Sequence, residues 1–238
     1  KSCEMAKLNV EEVVLQQYAS SLSALTEDER RLGVVLLDIG GGTTDIIVYK
    51  NGHVEYSSSI DIAGSSITND IAFVLKTSTD KAEELKVNEG VAQIDLADEQ
   101  KTIDVPVAGG EKTKTITQTY LAEIIESRME EIFAKAKTKI EEAVPLNSLP
   151  AGIVLTGGSS LLKGCTELAE GIFGIPVRTG NPIQISGIKE KVCKPQYSTA
   201  LGLIRYGALN YREPTRESGF VSGIFEKIKI FFAKFFTD

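Results

Sequence analysis

Short apolar runs, each stopped by turn residues, organise the first quarter of the chain. Val34-Val35-Leu36-Leu37 runs into Asp38-Ile39 and three glycines, Ile46-Ile47-Val48-Tyr49 follows, and Asn51-Gly52 leads into a third run. Runs of this length bounded by Gly and Asn read as strands, and Asn-Gly is hairpin chemistry. The pattern predicts a three-stranded antiparallel meander over 34–60. Before it, 10–16 reads as a strand-like run, 18–25 as a helix, and 26–31 (Thr-Glu-Asp-Glu-Arg-Arg) as a charged loop.

The period then lengthens. Ile67, Ile71, Val74 and Leu75 share one face of a helix over 64–77, with Ser65 or Ser66 as N-cap. Short alternating segments at 102–107 and 114–117 predict two strands about a Gly109-Gly110 turn. Leu121, Ile124, Ile125, Ile132, Phe133, Ala136 and Ile140 recur at helical spacing over 120–144, closed by Pro145. A buried strand at 153–156, a helix at 159–172, a strand near 176–179 and a helix at 198–210 complete the body.

Composition narrows the chemistry. The 238 residues carry 26 Lys+Arg against 33 Asp+Glu, a formal charge of −7, which disfavours nucleic-acid binding through global charge. The single histidine, His53, rules out His-rich metal sites and argues against a Ser/His/Asp triad. Cys3, Cys165 and Cys193 lack C-x-x-C spacing and point to a reducing compartment. Residues 1–15 lack the apolar core of a secretory signal, and no apolar stretch is long enough to span a bilayer.

Two glycine signatures carry candidate phosphate chemistry. In 38–45, Gly40, Gly41 and Gly42 allow close backbone approach to an anion, and Thr43 and Thr44 add hydroxyls. Asp38, at a strand end, suits holding metal-bound water or orienting an attacking water, with no direct metal ligation implied. No Gly-Lys-Ser/Thr follows, so this is not a P-loop; a plain glycine-rich hairpin is the alternative. In 155–160, Gly157 and Gly158 let a flat base lie on the backbone, with Ser159 near a helix N-terminus; the alternative is a common packing turn. Glu83 and Lys86 share a helical face, which taken alone is a surface ion pair of about 0.3–0.5 kcal/mol.

In combination these segments resemble the actin/Hsp70/sugar-kinase ATPase superfamily. Residues 38–45 resemble its second phosphate motif, 155–160 its adenosine motif, and 17–22 and 197–202 its two connecting helices. Residues 26–29 before Leu32-Gly33, 82–86 and 119–133 are most similar to the FtsA family of bacterial cell-division proteins. The resemblance implies an α/β actin-like (ribonuclease H-like) ATPase fold: the second lobe with part of the first, plus a C-terminal amphipathic helix. Residues 1–32 would be a first-lobe remnant with a connecting helix. Residues 33–78 and 150–212 would form the second-lobe core (subdomain 2A), and 79–149 its small subdomain (2B).

The resemblance also implies ATP and Mg2+ as cofactors. Asp38 would be the catalytic carboxylate, Gly40 to Thr44 the phosphate contacts, Gly157, Gly158 and Ser159 the adenosine contacts, and Glu83 and Lys86 the ribose or base contacts. It implies tethering of the FtsZ ring to the cytoplasmic face of the inner membrane at the division septum, recruitment of other divisome proteins, and self-association. The FtsZ C-terminal peptide would meet the small subdomain at Arg128, through an acidic group; a solvent-facing Arg is the alternative. The family's first phosphate hairpin, Asp-x-Gly, has no match before Asp38, so the chain is expected to hold half a nucleotide cleft, to bind MgATP weakly or not at all, and to hydrolyse ATP weakly at most. A pilus-assembly relative, or another ATPase or kinase of the superfamily, remains the competing reading.

The end of the chain is distinctive. Of 9 phenylalanines, six lie in the last nineteen residues, after a polar linker at 213–219. Phe220, Phe225, Ile228, Phe231, Phe232 and Phe235 recur at three- and four-residue steps, with Lys227, Lys229 and Lys234 alongside. Over 220–238 this predicts an in-plane helix that puts rings into the acyl boundary and lysines at anionic headgroups. A helix that docks on protein is the alternative.

Overall fold

A computed structural model describes residues 2–109, 112–183 and 192–210. The 220–238 helix and its linker lie outside the described residues. The described helices are α1 (Ser2–Met5), α2 (Gln16–Ala24), α3 (Glu27–Leu32), α4 (Gly64–Leu75), α5 (Thr79–Glu89), α6 (Gln118–Glu141), α7 (Cys165–Phe173) and α8 (Ser198–Asn210). The strands are β1 (Val34–Ile39), β2 (Thr44–Lys50), β3 (His53–Ile60), β4 (Thr102–Pro106), β5 (Thr113–Thr117), β6 (Ile153–Thr156) and β7 (Val177–Thr179).

The meander forms as its apolar runs predict, and β6 and β7 extend it into a five-stranded sheet of order β3-β2-β1-β6-β7. β1 is antiparallel to β2 but parallel to β6. Every residue of β1 and β6 is buried, as expected for central strands covered on both faces. Val35, Leu37, Ile39 and Leu155 point into the large core with Ile67, Ile71, Ile125, Phe133 and Leu168 of α4, α6 and α7. Val34, Leu36, Ile47, Tyr49 and Val154 point the other way, against Ala24 and Leu25 at the end of α2. The period-two alternation of the strands thus divides helices between the two faces. β4 and β5 pair as a separate two-stranded sheet, from which Ile103, Val105 and Ile116 reach the same large core.

Several local expectations change. The 10–16 run is not a strand: among the described residues no strand pairs with it, and Val10, Val13 and Leu15 are 55%, 88% and 65% exposed. The charged segment 26–31 is largely helix, because Thr26 and Glu29 form a reciprocal capping box. Thr26 Oγ1 accepts the Glu29 N–H at 3.2 Å, and Glu29 Oε2 accepts the Thr26 N–H at 2.8 Å. Arg178 of β7 grips the same Glu29 carboxylate at 2.6 and 2.7 Å. α4 starts at Gly64 behind Ala63, which offers no side-chain cap, rather than behind Ser65 or Ser66. The 159–172 helix begins only at Cys165; Gly158–Leu161 is a 3-10 turn.

Candidate functional site

Asp38 sits at the carboxyl end of β1, 3% exposed, directly across from Asp45 on β2. Two helices fasten it. Ser20 Oγ, on α2, donates to Asp38 Oδ2 at 2.5 Å, and Thr199 Oγ1, at the start of α8, reaches the same oxygen at 3.3 Å. The two hydroxyls lie 2.8 Å apart. Burial raises the pKa of Asp38, and the charge of Asp45 adds to that, while the Ser20 and Thr199 hydrogen bonds pull against it. Neither Ser20 nor Thr199 was singled out from the sequence. The available signal was a run of small hydroxyls, Ser20-Ser21 and Ser198-Thr199, one on each helix.

The turn after β1 leads to the rest of the site. The Gly40 N–H donates to the Thr43 carbonyl, and the Gly40 carbonyl accepts from the Gly64 N–H at 3.0 Å and from Ser159 Oγ at 3.2 Å. The Gly41 carbonyl accepts the Ser65 N–H at 2.7 Å. Thus the glycine turn is stitched to the first turn of α4. A Cβ on Gly42 would meet nothing within 4 Å, and one on Gly41 only Ser65 Oγ at 3.6 Å. The turn is open on its outer side.

The two threonines part company. Thr43 is half-buried, with its hydroxyl 3.3 Å from Asp45 Oδ2. Thr44 is fully buried and donates to the Ile62 carbonyl at 2.8 Å. The Thr44 hydroxyl therefore faces the protein interior, where it ties β2 to the segment after β3.

Gly157 and Gly158 close the other side. Gly157 has φ +85°, and a Cβ there would stand 2.6 Å from Asp38 Oδ1. A Cβ on Gly158 would meet nothing within 4 Å. Ser159 lies ahead of the α-helix that the sequence starts at 159, since α7 opens only at Cys165. It lies in the 3-10 turn, and its buried hydroxyl bridges back to the Gly40 turn. The two glycine signatures, 119 residues apart, are in direct contact.

Glu83 and Lys86 meet the same place from α5, and not as a solvated surface pair. Lys86 is 8% exposed, and its Nζ donates to the Gly64 carbonyl at 3.1 Å, Thr68 Oγ1 at 2.8 Å and Glu83 Oε2 at 2.7 Å. An ammonium has three protons, and these three acceptors take them. Thr68 Oγ1 also lies 2.5 Å from Glu83 Oε2, positioned to donate. Burial works against the Glu83 charge, yet the hydrogen bonds from Lys86 and Thr68 and the ammonium charge outweigh it and lower its pKa. Glu83 keeps its half-exposed side at the surface. Gly64 and Thr68 were missed because a small α4 turn gives no charge or motif signal.

Arg128 stands apart from this cluster, on α6. It is not simply solvent-facing: Nε and Nη2 donate to the two carboxylate oxygens of Asp70 at 2.5 and 2.8 Å, and Nη1 donates to Glu131 at 2.5 Å. Among the described residues no helix is long and apolar enough to cross a membrane, and no three His, Cys, Asp or Glu gather as a metal cluster.

The family profile described as "Cell division protein FtsA" matches residues 35–202. The chain is 44% identical over 200 residues to cell division protein FtsA of Pseudomonas aeruginosa, covering 84% of this chain and 48% of that protein. It is 41% identical over 223 residues to cell division protein FtsA of Neisseria meningitidis serogroup B, covering 93% and 54%. The chain spans about half the length of the curated relatives it matches. Among solved structures, MreB5 of Spiroplasma citri bound to ADP superposes with a TM-score of 0.70 at 18% identity, covering 87% of this chain and 63% of that one. A chain of the PilM–PilN type IV pilus biogenesis complex gives 0.63 at 17%, covering 86% and 55%. These likenesses establish the actin-like fold.

Proposed function

The chain belongs to the FtsA family of cell-division proteins, and from that premise we propose that it serves as a membrane-attached adaptor for the FtsZ ring, carrying one wall of an ATP cleft. The observation that carries the cleft is the convergence of the two glycine signatures on Asp38. Gly42 and Gly158 leave space where side chains would stand, which fits the close backbone approach that phosphate and a flat base require. Gly40 to Thr43 would hold phosphate oxygens, Gly158 and Ser159 the adenosine, and the free side of Glu83 the ribose or base. Lys86, its protons already taken, acts by orienting Glu83.

Bound Mg2+ would neutralise phosphate charge; Asp38 would hold it through water. Asp38 has the buried, doubly hydrogen-bonded carboxylate suited to fix a water, and Ser20 and Thr199 orient it. The Phe-rich periodicity of 220–238 supports attachment to anionic lipid at the cytoplasmic face of the inner membrane. The small second-lobe subdomain, with Arg128, would take the FtsZ C-terminal peptide; other divisome proteins and further copies of the chain complete the expected partners.

Pilus assembly is supported by fold alone, at 17% identity, whereas the relatives at 44% and 41% are cell-division proteins. Co-sedimentation of FtsZ with anionic vesicles tests the proposal. FtsZ pelleting only when the chain is present supports it, and FtsZ remaining in solution beside a pelleted chain overturns the partner assignment.

A further inference from the structure

Arg128 lies in the middle of α6, with Glu131 one turn on and Asp70 facing it from α4. The three edge a groove of about 420 Å³ whose wall includes Val74, Ile124 and Ser127. The guanidinium fork holds Asp70 through both carboxylate oxygens, the arrangement in which Arg recognises any carboxylate. Asp70 therefore occupies the position that a partner's acidic group would take. The pair is accessible, with side chains 27% and 29% exposed. Val74 is 37% exposed and Phe73 beside it in sequence is 84% exposed, which leaves apolar surface next to the fork.

We propose that Asp70 is a built-in competitor. A peptide carboxylate engages Arg128 by displacing Asp70, while an adjacent apolar residue seats against Val74 and Ile124. This rests on the reading of the groove as the site for the FtsZ C-terminal peptide. Glu123 also lines the groove; of the two carboxylates hydrogen-bonded to the guanidinium, Asp70 is the one to leave. Glu131 is held a second time, by Lys135 Nζ at 2.6 Å, whereas a released Asp70 swings into water at little cost because the pair is only partly buried. Three carboxylates on one guanidinium would repel one another, so the exchange is one for one. The groove thus selects partners whose acid outcompetes a tethered one.

The experiment is fluorescence titration of the labelled FtsZ C-terminal peptide, and of the same peptide with its acids replaced by amides, into the full chain. Wild type, Asp70→Asn, Asp70→Ala, Glu131→Gln and Arg128→Ala are compared. Asp70→Asn keeps the side-chain shape and should bind the acidic peptide roughly 2- to 5-fold tighter, with no gain for the amide peptide. Glu131→Gln, which removes an acid the exchange leaves in place, should change binding less, and Asp70→Ala serves as a second test of competition should Asp70→Asn fail to fold. Binding that is lost in Arg128→Ala but unchanged in both Asp70 variants overturns the competitor while leaving the groove assignment standing. Equal binding by Arg128→Ala and wild type, or none by any variant, overturns the groove assignment and the competitor with it.

Discussion

Gly157 presses against Asp38 so closely that a methyl group on it would stand 2.6 Å from Asp38 Oδ1 and 2.4 Å from the Ile39 carbonyl oxygen. Contacts that short do not occur between real atoms, and φ +85° is itself strained for any residue with a Cβ. Gly157→Ala should therefore destabilise the protein by about 1–3 kcal/mol from the backbone alone, with the clash adding to it. Gly158→Ala meets nothing within 4 Å and should change stability by less than about 0.5 kcal/mol. Urea midpoints of the two variants check the contrast; equal losses would mean that the Gly157–Asp38 contact is not the constraint.

Asp38 should cost the fold stability at neutral pH. Its pKa in the folded protein lies above the ordinary 3.8, chiefly through burial, so folding disfavours its charged form. The penalty is fully present above the raised folded value and is lost as pH falls through 3.8, below which folded and unfolded chains both carry the proton. Asp38→Asn should accordingly melt higher than wild type at pH 7, with the gap narrowing on acidification. A lower melting temperature for the variant at pH 7 would refute this.

The Lys86 cluster behaves oppositely. Glu83 has its pKa lowered below 4.5, so the stability it contributes is fully present above 4.5 and is lost as pH falls through the lower folded value. Glu83→Gln should flatten this part of the acid-unfolding curve. Lys86→Met takes one donor from the Gly64 carbonyl, which keeps Thr68 Oγ1 at 3.1 Å, and removes the ammonium from Thr68 and Glu83, and should lose about 1–3 kcal/mol at pH 7. Chemical denaturation at pH 7 and pH 4 measures both effects, and an unchanged midpoint for Lys86→Met would show the lysine to be a solvated surface charge.

The strands were legible because Val34 to Leu37 and Ile46 to Tyr49 are continuous apolar runs with glycine or Asn-Gly at their ends. The long α6 was legible because Leu121, Ile125, Ile132 and Phe133 keep helical phase over many turns. The 10–16 run misled because the β-branched residues Val10, Val13 and Val14 suit a strand without supplying its partner, and pairing is what makes a strand. Residues 26–31 misled because charge masked a capping box. In the site, residue types located Asp38, the glycines and Glu83. They could not show that Thr44 turns inward or that Ser20 and Thr199 converge on one oxygen, since that depends on where two distant helices end. Likewise Arg128 is visible as a charge, but its capture by Asp70 depends on the packing of α4 against α6.

In the proposed membrane attachment, Phe231 and Phe232 are the rings that enter the acyl boundary. Fully burying one such ring contributes about 1.5–3 kcal/mol, and replacing it with an acid also sets a charge against anionic lipid. The double change to Glu should leave the described core folded and release the chain from vesicles.

Sedimenting anionic vesicles with FtsZ and either wild type or the Phe231→Glu, Phe232→Glu variant tests the proposed joining of lipid to FtsZ by one chain. FtsZ should pellet with wild type, and both FtsZ and the chain should stay in solution with the variant. FtsZ pelleting equally with both, or with neither, would contradict it.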